Sequence, residues 1–232
     1  MSIFNREEKY LRLLGEREHS VKELSEKLFI SEPTVRRDII SLKKKELVAS
    51  SRGIVSLKSK YADQRIPLFI RNEEYNDAKK EIAIKAASHI KDGDVIMLDA
   101  STTAYHLLPH LTAFKNILVI TNGAKTAIDA AAMGIKTICT GGEMLLESFS
   151  YIGSDAETIL RNYNADVAFF SCRGLSEEGI ITDNSIPENS IRRIMIKNSK
   201  KSYLLCDKSK FGKKYLNTLC YKDDIDGIIS DN

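Results

Sequence analysis

Four short polar stretches contain residue types able to hold an anionic sugar-like ligand: Asp99-Ala100-Ser101-Thr102-Thr103, Thr121-Asn122-Gly123, Thr140-Gly141-Gly142 and Asp207-Lys208-Ser209-Lys210-Phe211-Gly212. A helix beginning at Thr102 would present free amides and the positive end of its dipole, with the hydroxyls of Ser101, Thr102 and Thr103 as further donors. Gly141 and Gly142 let backbone come close to a ligand. Lys208 or Lys210 can supply a point charge for a phosphate. Asp99 and Asn122 are better matched to sugar hydroxyls.

Each of these stretches follows a short apolar run. VIMLD at 95–99, ILVIT at 117–121, KTICT at 136–140, VAFFSC at 167–172, SYLLC at 202–206 and DGIIS at 226–230 alternate with helical patterns at 78–91, 102–111, 124–133, 155–163 and 187–198. Continuous apolar strands separated by helices predict a mainly parallel sheet covered on both faces. Ligands of such sheets sit beyond the carboxyl ends of the strands, where the four stretches fall.

The first sixty residues carry a different chemistry. Residues 31–60 hold 8 Lys+Arg against 3 Asp+Glu, whereas residues 1–30 are balanced at 6 against 6 and residues 61–232 hold 21 against 23. The positive excess is therefore local, as expected of a nucleic-acid-binding face. An amphipathic helix over 5–17 precedes a capping box, Ser20-Val21-Lys22-Glu23, and a second short helix. Ser31-Glu32-Pro33-Thr34 starts a third helix that runs to about Lys45. Val35, Ile39 and Leu42 fall within about 60° of arc on its wheel, while Arg37, Ser41 and Lys44 point away, with Thr34 beside them and Arg36 on a flank. Residues 47–57 predict a hairpin with Arg52 at its tip. This is a helix-turn-helix pattern, and the expected partner is double-stranded DNA.

The stretch HSVKELSEKLFISEPTVRRDIISLKKKELV, with Thr34–Asp38 as its most specific piece, resembles the winged helix-turn-helix of the DeoR family of bacterial transcriptional regulators. The resemblance implies DNA-contacting roles for Ser31, Thr34, Arg36 and Arg37, with Asp38 and Glu32 orienting the arginines. The wing tip here is Ser51-Arg52-Gly53, where the family has a His-Gly-Gly-like tip. Residues 78–232 resemble the family's effector domain at DASTT, Thr121-Asn122, Gly141-Gly142 and DKSKFG. That implies a fold shared with ribose-5-phosphate isomerase and CoA transferases, and a phosphorylated sugar as effector.

The expected organisation is a DNA-binding domain at 1–57, a linker at 58–77 docking through Pro67, Leu68, Phe69 and Ile70, and an effector-binding and oligomerisation domain at 78–232. The function expected is a repressor of a sugar-metabolism operon, released from its operator by the phosphosugar and acting as a dimer or tetramer. The rival is a sugar-phosphate isomerase fused to a DNA-binding domain. Isomerases of that fold carry an Asp-Gly-Ala-Asp-like segment where this chain has Ser171, Cys172 and Arg173, so no catalytic residue is assigned. Glu143, Glu147 and Glu188 remain as carboxylates, Glu188 being read as pocket or helix-start structure. His106 and His110 lack supporting ligands, so no metal or other cofactor is expected. Four dispersed cysteines without C-x-x-C spacing are read as reduced thiols. A charged N-terminus and the lack of any long apolar run predict a cytoplasmic protein without a membrane segment.

Overall fold

The computed structural model describes residues 17–45, 47–57 and 75–231, together with Arg6, Lys9, Tyr10, Leu13 and Leu14. The chain divides into two compact units, residues 1–74 and 75–232. The expected docking segment at 67–70 lies outside the described residues, as does the linker up to residue 74.

In the first unit Arg6, Lys9, Tyr10, Leu13 and Leu14 are helical. A two-residue strand β1 (His19–Ser20) leads into α1 (Val21–Leu28). The capping box forms in full: the Ser20 hydroxyl accepts from the Glu23 amide at 3.1 Å, and the Ser20 amide donates to Glu23 Oε2 at 2.7 Å. The Ser20 amide, with Arg17 alongside, holds the Glu23 carboxyl down at about 2. Helix α2 (Glu32–Lys44) follows, then the hairpin β2 (Val48–Ser51) and β3 (Ile54–Leu57). The sheet order is β1-β3-β2, antiparallel throughout. Val35, Ile39 and Leu42 pack with Leu24 and Val55 in one core, so the predicted stripe is the buried one. The two turn residues Arg52 and Gly53 both have positive φ, 50° and 80°, the twist that a two-residue hairpin needs.

The second unit begins with α3 (Asn76–Ala87), two residues ahead of the predicted start. Then come β4 (Val95–Leu98), α4 (Thr102–Tyr105), α5 (Leu108–Leu111), β5 (Leu118–Thr121), α6 (Ala124–Ala132) and β6 (Lys136–Cys139). The hairpin β7 (Glu143–Leu145) and β8 (Ser150–Ile152) precedes α7 (Gly153–Arg161) and β9 (Ala165–Ser171). After β10 (Gly174–Leu175), β11 (Ile180–Asp183) and α8 (Ile186–Lys197) come β12 (Ser199–Leu205), β13 (Asn217–Tyr221) and β14 (Gly227–Ile229). The main sheet has order β14-β12-β9-β4-β5-β6 and is parallel at every pairing.

Its two faces are covered separately. Ile82, Leu107 and Leu111 pack with Leu98, Phe169 and Leu205 on one face, while Leu160, Ile191 and Met195 pack with Met97, Ile120 and Ala168 on the other. This alternation along β4 and β9 is the period of two expected of a strand buried on both sides.

Two features depart from the sequence expectations. The single helix over 102–111 is two one-turn helices, because Pro109 in the first turn of α5 has no amide for a continuous ladder. Two antiparallel elements, the β7–β8 hairpin and the sheet β10-β11-β13, were not anticipated. Their strands are short and mix polar with apolar residues, leaving no apolar run to find.

Candidate functional site

Because every strand of the main sheet runs the same way, the ends of β4, β5, β9 and β12 come out on one edge. Gly123 shows how tightly the loops meet there: a Cβ on it would lie 3.2 Å from the Ala100 Cα. The centre of the cluster is Arg192 on α8. Its Nε donates to Asp99 Oδ2 at 2.9 Å, and its Nη1 donates to Asp183 Oδ2 at 3.0 Å and to Asn189 Oδ1 at 3.2 Å. Arg192, Asp99 and Asp183 are all buried. Burial alone would lower the affinity of the guanidinium for its proton, but Asp183, Asp99 and Glu188 outweigh this and raise it well above the ordinary arginine value.

Asp99 is consequently occupied by the protein itself. Oδ2 also accepts from the Ser171 amide at 3.2 Å, and Oδ1 from the Ser101 amide at 3.1 Å. Its geometry is that of a clamp on three elements rather than a carboxylate open to sugar hydroxyls. Ser101 is likewise engaged, its hydroxyl accepting from the Ala104 amide at 3.1 Å as the cap of α4. That helix is a single turn, so its dipole is far weaker than a long helix at Thr102 would provide. The first-turn amides of Thr102 and Thr103 still have no intrahelical acceptor.

The two lysines separate clearly. Lys210 Nζ donates to Ser171 Oγ at 2.8 Å and lies 3.3 Å from Asp207 Oδ2. Lys208 is exposed, with its amide on Asp231. Burial would lower Lys210, yet Asp207 and its neighbours hold it above the ordinary lysine value. Burial would raise Asp207, yet Lys210 and Ser209 hold it below the usual carboxylate range. A depressed Asp207 contributes stability that is fully present above its unfolded value near about 4 and is lost as pH falls through the folded value. Lys210→Met leaves Asp207 buried without its cation, so the stability gap between wild type and variant should narrow between pH 7 and pH 3 in urea titrations. A gap that stays constant would show that the pair contributes nothing.

On the β5 side, the Asn122 side-chain amide donates to the Tyr151 carbonyl at 3.0 Å, leaving a buried Oδ1 without a hydrogen-bond partner. Ser150 donates to Glu188 Oε1 at 3.0 Å and pairs with Ser148 at 2.8 Å. Gly141 and Gly142 have φ of 62° and 108°. A Cβ on Gly142 would sit 2.8 Å from the Ile152 carbonyl oxygen, so this glycine is required by the packing of its own hairpin against α7. Gly141 has open space around it.

Arg192, Asp183, Arg173 and Ser171 were not among the residues expected at the site. Arg173 Nε lies 3.7 Å from Asp183 Oδ1, continuing the ion network. A signal for Arg192 existed: Glu188, Ile191, Arg192 and Met195 follow the i, i+3, i+4, i+7 pattern, placing an arginine on the inward stripe of its helix. Among the described residues, no group of three His, Cys, Asp or Glu side chains is placed to hold a metal ion.

In the first unit, Ser31, Arg36, Arg37, Ser41, Lys44 and Arg52 are exposed and Thr34 is half-buried. Arg36 pairs with Glu32 at 3.3 Å. Arg37 has no ion-pair or hydrogen-bond partner among the described residues, so its guanidinium fork is available. Ser31 stands at the cap position of α2 without capping it; its hydroxyl pairs instead with that of Thr34 at 3.0 Å. Asp38 does not orient the arginines of α2. It accepts from the Tyr10 hydroxyl at 3.3 Å and lies 3.6 Å from Arg6 Nε.

A winged helix-turn-helix with an exposed basic face, joined in one chain to a parallel α/β domain with a polar loop cluster, defines a DNA-binding regulator with a sensor domain. Residues 6–60 match the DeoR-like helix-turn-helix domain and residues 74–232 the DeoR C terminal sensor domain, so the chain belongs to the DeoR family. It is 33% identical to the uncharacterized HTH-type transcriptional regulator YulB of Bacillus subtilis, over 100% of this chain and 90% of that protein. It is 27% identical to the lactose phosphotransferase system repressor of Staphylococcus epidermidis, over 100% of this chain and 93% of that protein. Among solved structures, eIF2B delta from Chaetomium thermophilum superposes with a TM-score of 0.53 at 19% identity, covering 71% of this chain and 59% of that one, a likeness of fold. No helix among the described residues is long and apolar enough to cross a membrane.

Proposed function

We propose that this protein represses a sugar-metabolism operon, binding double-stranded operator DNA through its first domain and leaving it when a phosphorylated sugar occupies the second. The observation that carries this reading is the convergence of the β4, β5 and β12 loops, with Lys210 and an unpartnered Asn122 Oδ1 among them. Lys210 has three donors, of which Ser171 and Asp207 take two; the third is suited to a phosphate oxygen. The amides of Thr102 and Thr103 would share that phosphate, Gly141 would let the ligand approach, and Asn122 Oδ1 would accept from a sugar hydroxyl. Asp99 would act through the loops it clamps. On DNA, Arg37 would read a base or a phosphate, with Ser31, Thr34, Arg36, Ser41, Lys44 and Arg52 around it. A symmetric dimer or tetramer in the cytoplasm would read paired half-sites.

The isomerase alternative needs a free carboxylate base. Asp99, Asp183 and Asp207 each contact a cation, Glu188 accepts from Ser150, and Glu143 and Glu147 are exposed on the β7–β8 hairpin, which favours a sensor over an enzyme.

The test uses the full chain, DNA from its own promoter region and a panel of sugar phosphates, with binding read by fluorescence anisotropy. One phosphosugar should weaken operator binding at least about tenfold, while its unphosphorylated parent has no effect. Lys210→Ala should abolish that response and retain DNA affinity. Arg37→Ala should cost about 1–3 kcal/mol of operator binding if it reads a base. Unchanged affinity would remove Arg37 from the interface, and turnover of the phosphosugar would establish the enzyme instead.

A further inference from the structure

We infer that Cys172 and Cys206 are a reversible dithiol–disulfide pair, a modification site beneath the loop cluster that takes a peroxide as its oxidant. The topology places them together. Strands β9 and β12 are adjacent and parallel, and their last rung sets Leu205 opposite Ser171. One residue further on each chain, Cys206 therefore stands opposite Cys172. Their side chains point the same way: Phe169 and Leu205 face one core, while Phe170, Cys172, Leu204 and Cys206 share the other. Neighbouring strands run about 4.8 Å apart, inside the Cα separation of roughly 4.4–6.8 Å that a disulfide spans. Both cysteines lie past the last rung of the β9–β12 ladder, with the Cys206 amide held by the Ile229 carbonyl at 3.0 Å.

The two thiols differ in a way that assigns their roles. Cys172 keeps a small exposed surface, and Cys206 is sealed. The neighbouring Cys206 thiol and the Lys210 ammonium hold Cys172 below the ordinary cysteine value against burial, while Cys206, whose thiol donates to the Asp207 carbonyl at 3.8 Å, is pushed up. Cys172 is thus the attacking sulfur and Cys206 the resolving one. Cys220, in the same apolar cluster, is pushed up by burial to about 12 and stays a thiol. Cys139 is exposed at the end of β6.

The Cys172 thiolate attacks one peroxide oxygen, the O–O bond breaks, and hydroxide leaves Cys172 as a sulfenic acid. The Cys206 thiol then attacks that sulfur, giving up its proton; the S–S bond forms, the S–O bond breaks, and water leaves. Two thiols lose two electrons and the peroxide gains them. Because Cys172 lies between Ser171 and Arg173, and Cys206 precedes Asp207, the bond would act on the chain segments that hold Lys210.

The test needs no effector and so stands apart from the sugar-phosphate reading. The reduced full chain is treated with a few equivalents of hydrogen peroxide, unfolded in urea with N-ethylmaleimide to block every remaining thiol, and digested with trypsin, which places the two cysteines on separate peptides, 162–173 and 202–208. The expected product is the cross-linked pair of these peptides, lighter by two hydrogens and released by dithiothreitol. It should persist in Cys139→Ser. Cys206→Ser should instead accumulate a dimedone-reactive sulfenic acid at Cys172. Maleimide on both Cys172 and Cys206 of the wild type after Cys139 is fully oxidised would overturn the inference, as would sulfinate at Cys172 without any cross-link.

Discussion

Replacing Arg192 by methionine is expected to remove about 3–5 kcal/mol of stability, because it leaves Asp99 and Asp183 buried without their shared cation. For a unit of this size that corresponds to a fall in melting temperature of roughly 10 °C. The loss should exceed the value of the hydrogen bonds themselves, since the cost arises from stranded charge. Arg192→Lys should fall between, as a compact ammonium cannot reproduce the fork that serves both carboxylates and Asn189. Adding Asp99→Asn and Asp183→Asn to Arg192→Met should recover part of the deficit by removing the unpaired charges. Only part is expected, because Asp99 also accepts from the amides of Ser101 and Ser171 and an asparagine has one acceptor oxygen. A loss below about 1 kcal/mol in thermal melts of the sensor domain would mean that the triad does not hold β4, β11 and α8 together.

The adjacent glycines should behave very differently. Gly142→Ala is expected to cost about 3 kcal/mol, combining an unfavourable backbone at φ 108° with a methyl driven against the Ile152 carbonyl oxygen and Ala156. Gly141→Ala, at φ 62° with open space around it, should cost only about 1 kcal/mol. If Gly141 is where backbone meets the effector, its methyl should reduce phosphosugar binding while the melting temperature barely moves. Equal destabilisation by the two substitutions in urea titrations would contradict the packing role of Gly142.

These expectations depend on details of unequal legibility. The core stripe of α2, the capping box at Ser20 and the apolar strands of the sheet were readable because each rests on local periodicity or on residues within one helical turn. The polar segments at strand ends were readable too, since a parallel sheet must gather them on one edge. The β7–β8 hairpin and the β10-β11-β13 sheet were not, because short polar strands owe their existence to the elements they pair with.

By itself, the sequence determined that a basic helix-turn-helix precedes a parallel α/β domain with polar segments at the ends of its strands. Only the tertiary structure decided what each does. It separated Lys210, turned inward onto Ser171, from the exposed Lys208 two residues away. It bound Asp99 to an arginine 93 residues distant, Asp38 to Tyr10 and Arg6 rather than to its neighbouring arginines, and Gly142 to the packing of α7. The physical reasons are two: a charged group withdrawn from water takes the partner that packs beside it, and a glycine is required where another backbone passes. Neither condition is encoded in the spacing of residues along the chain.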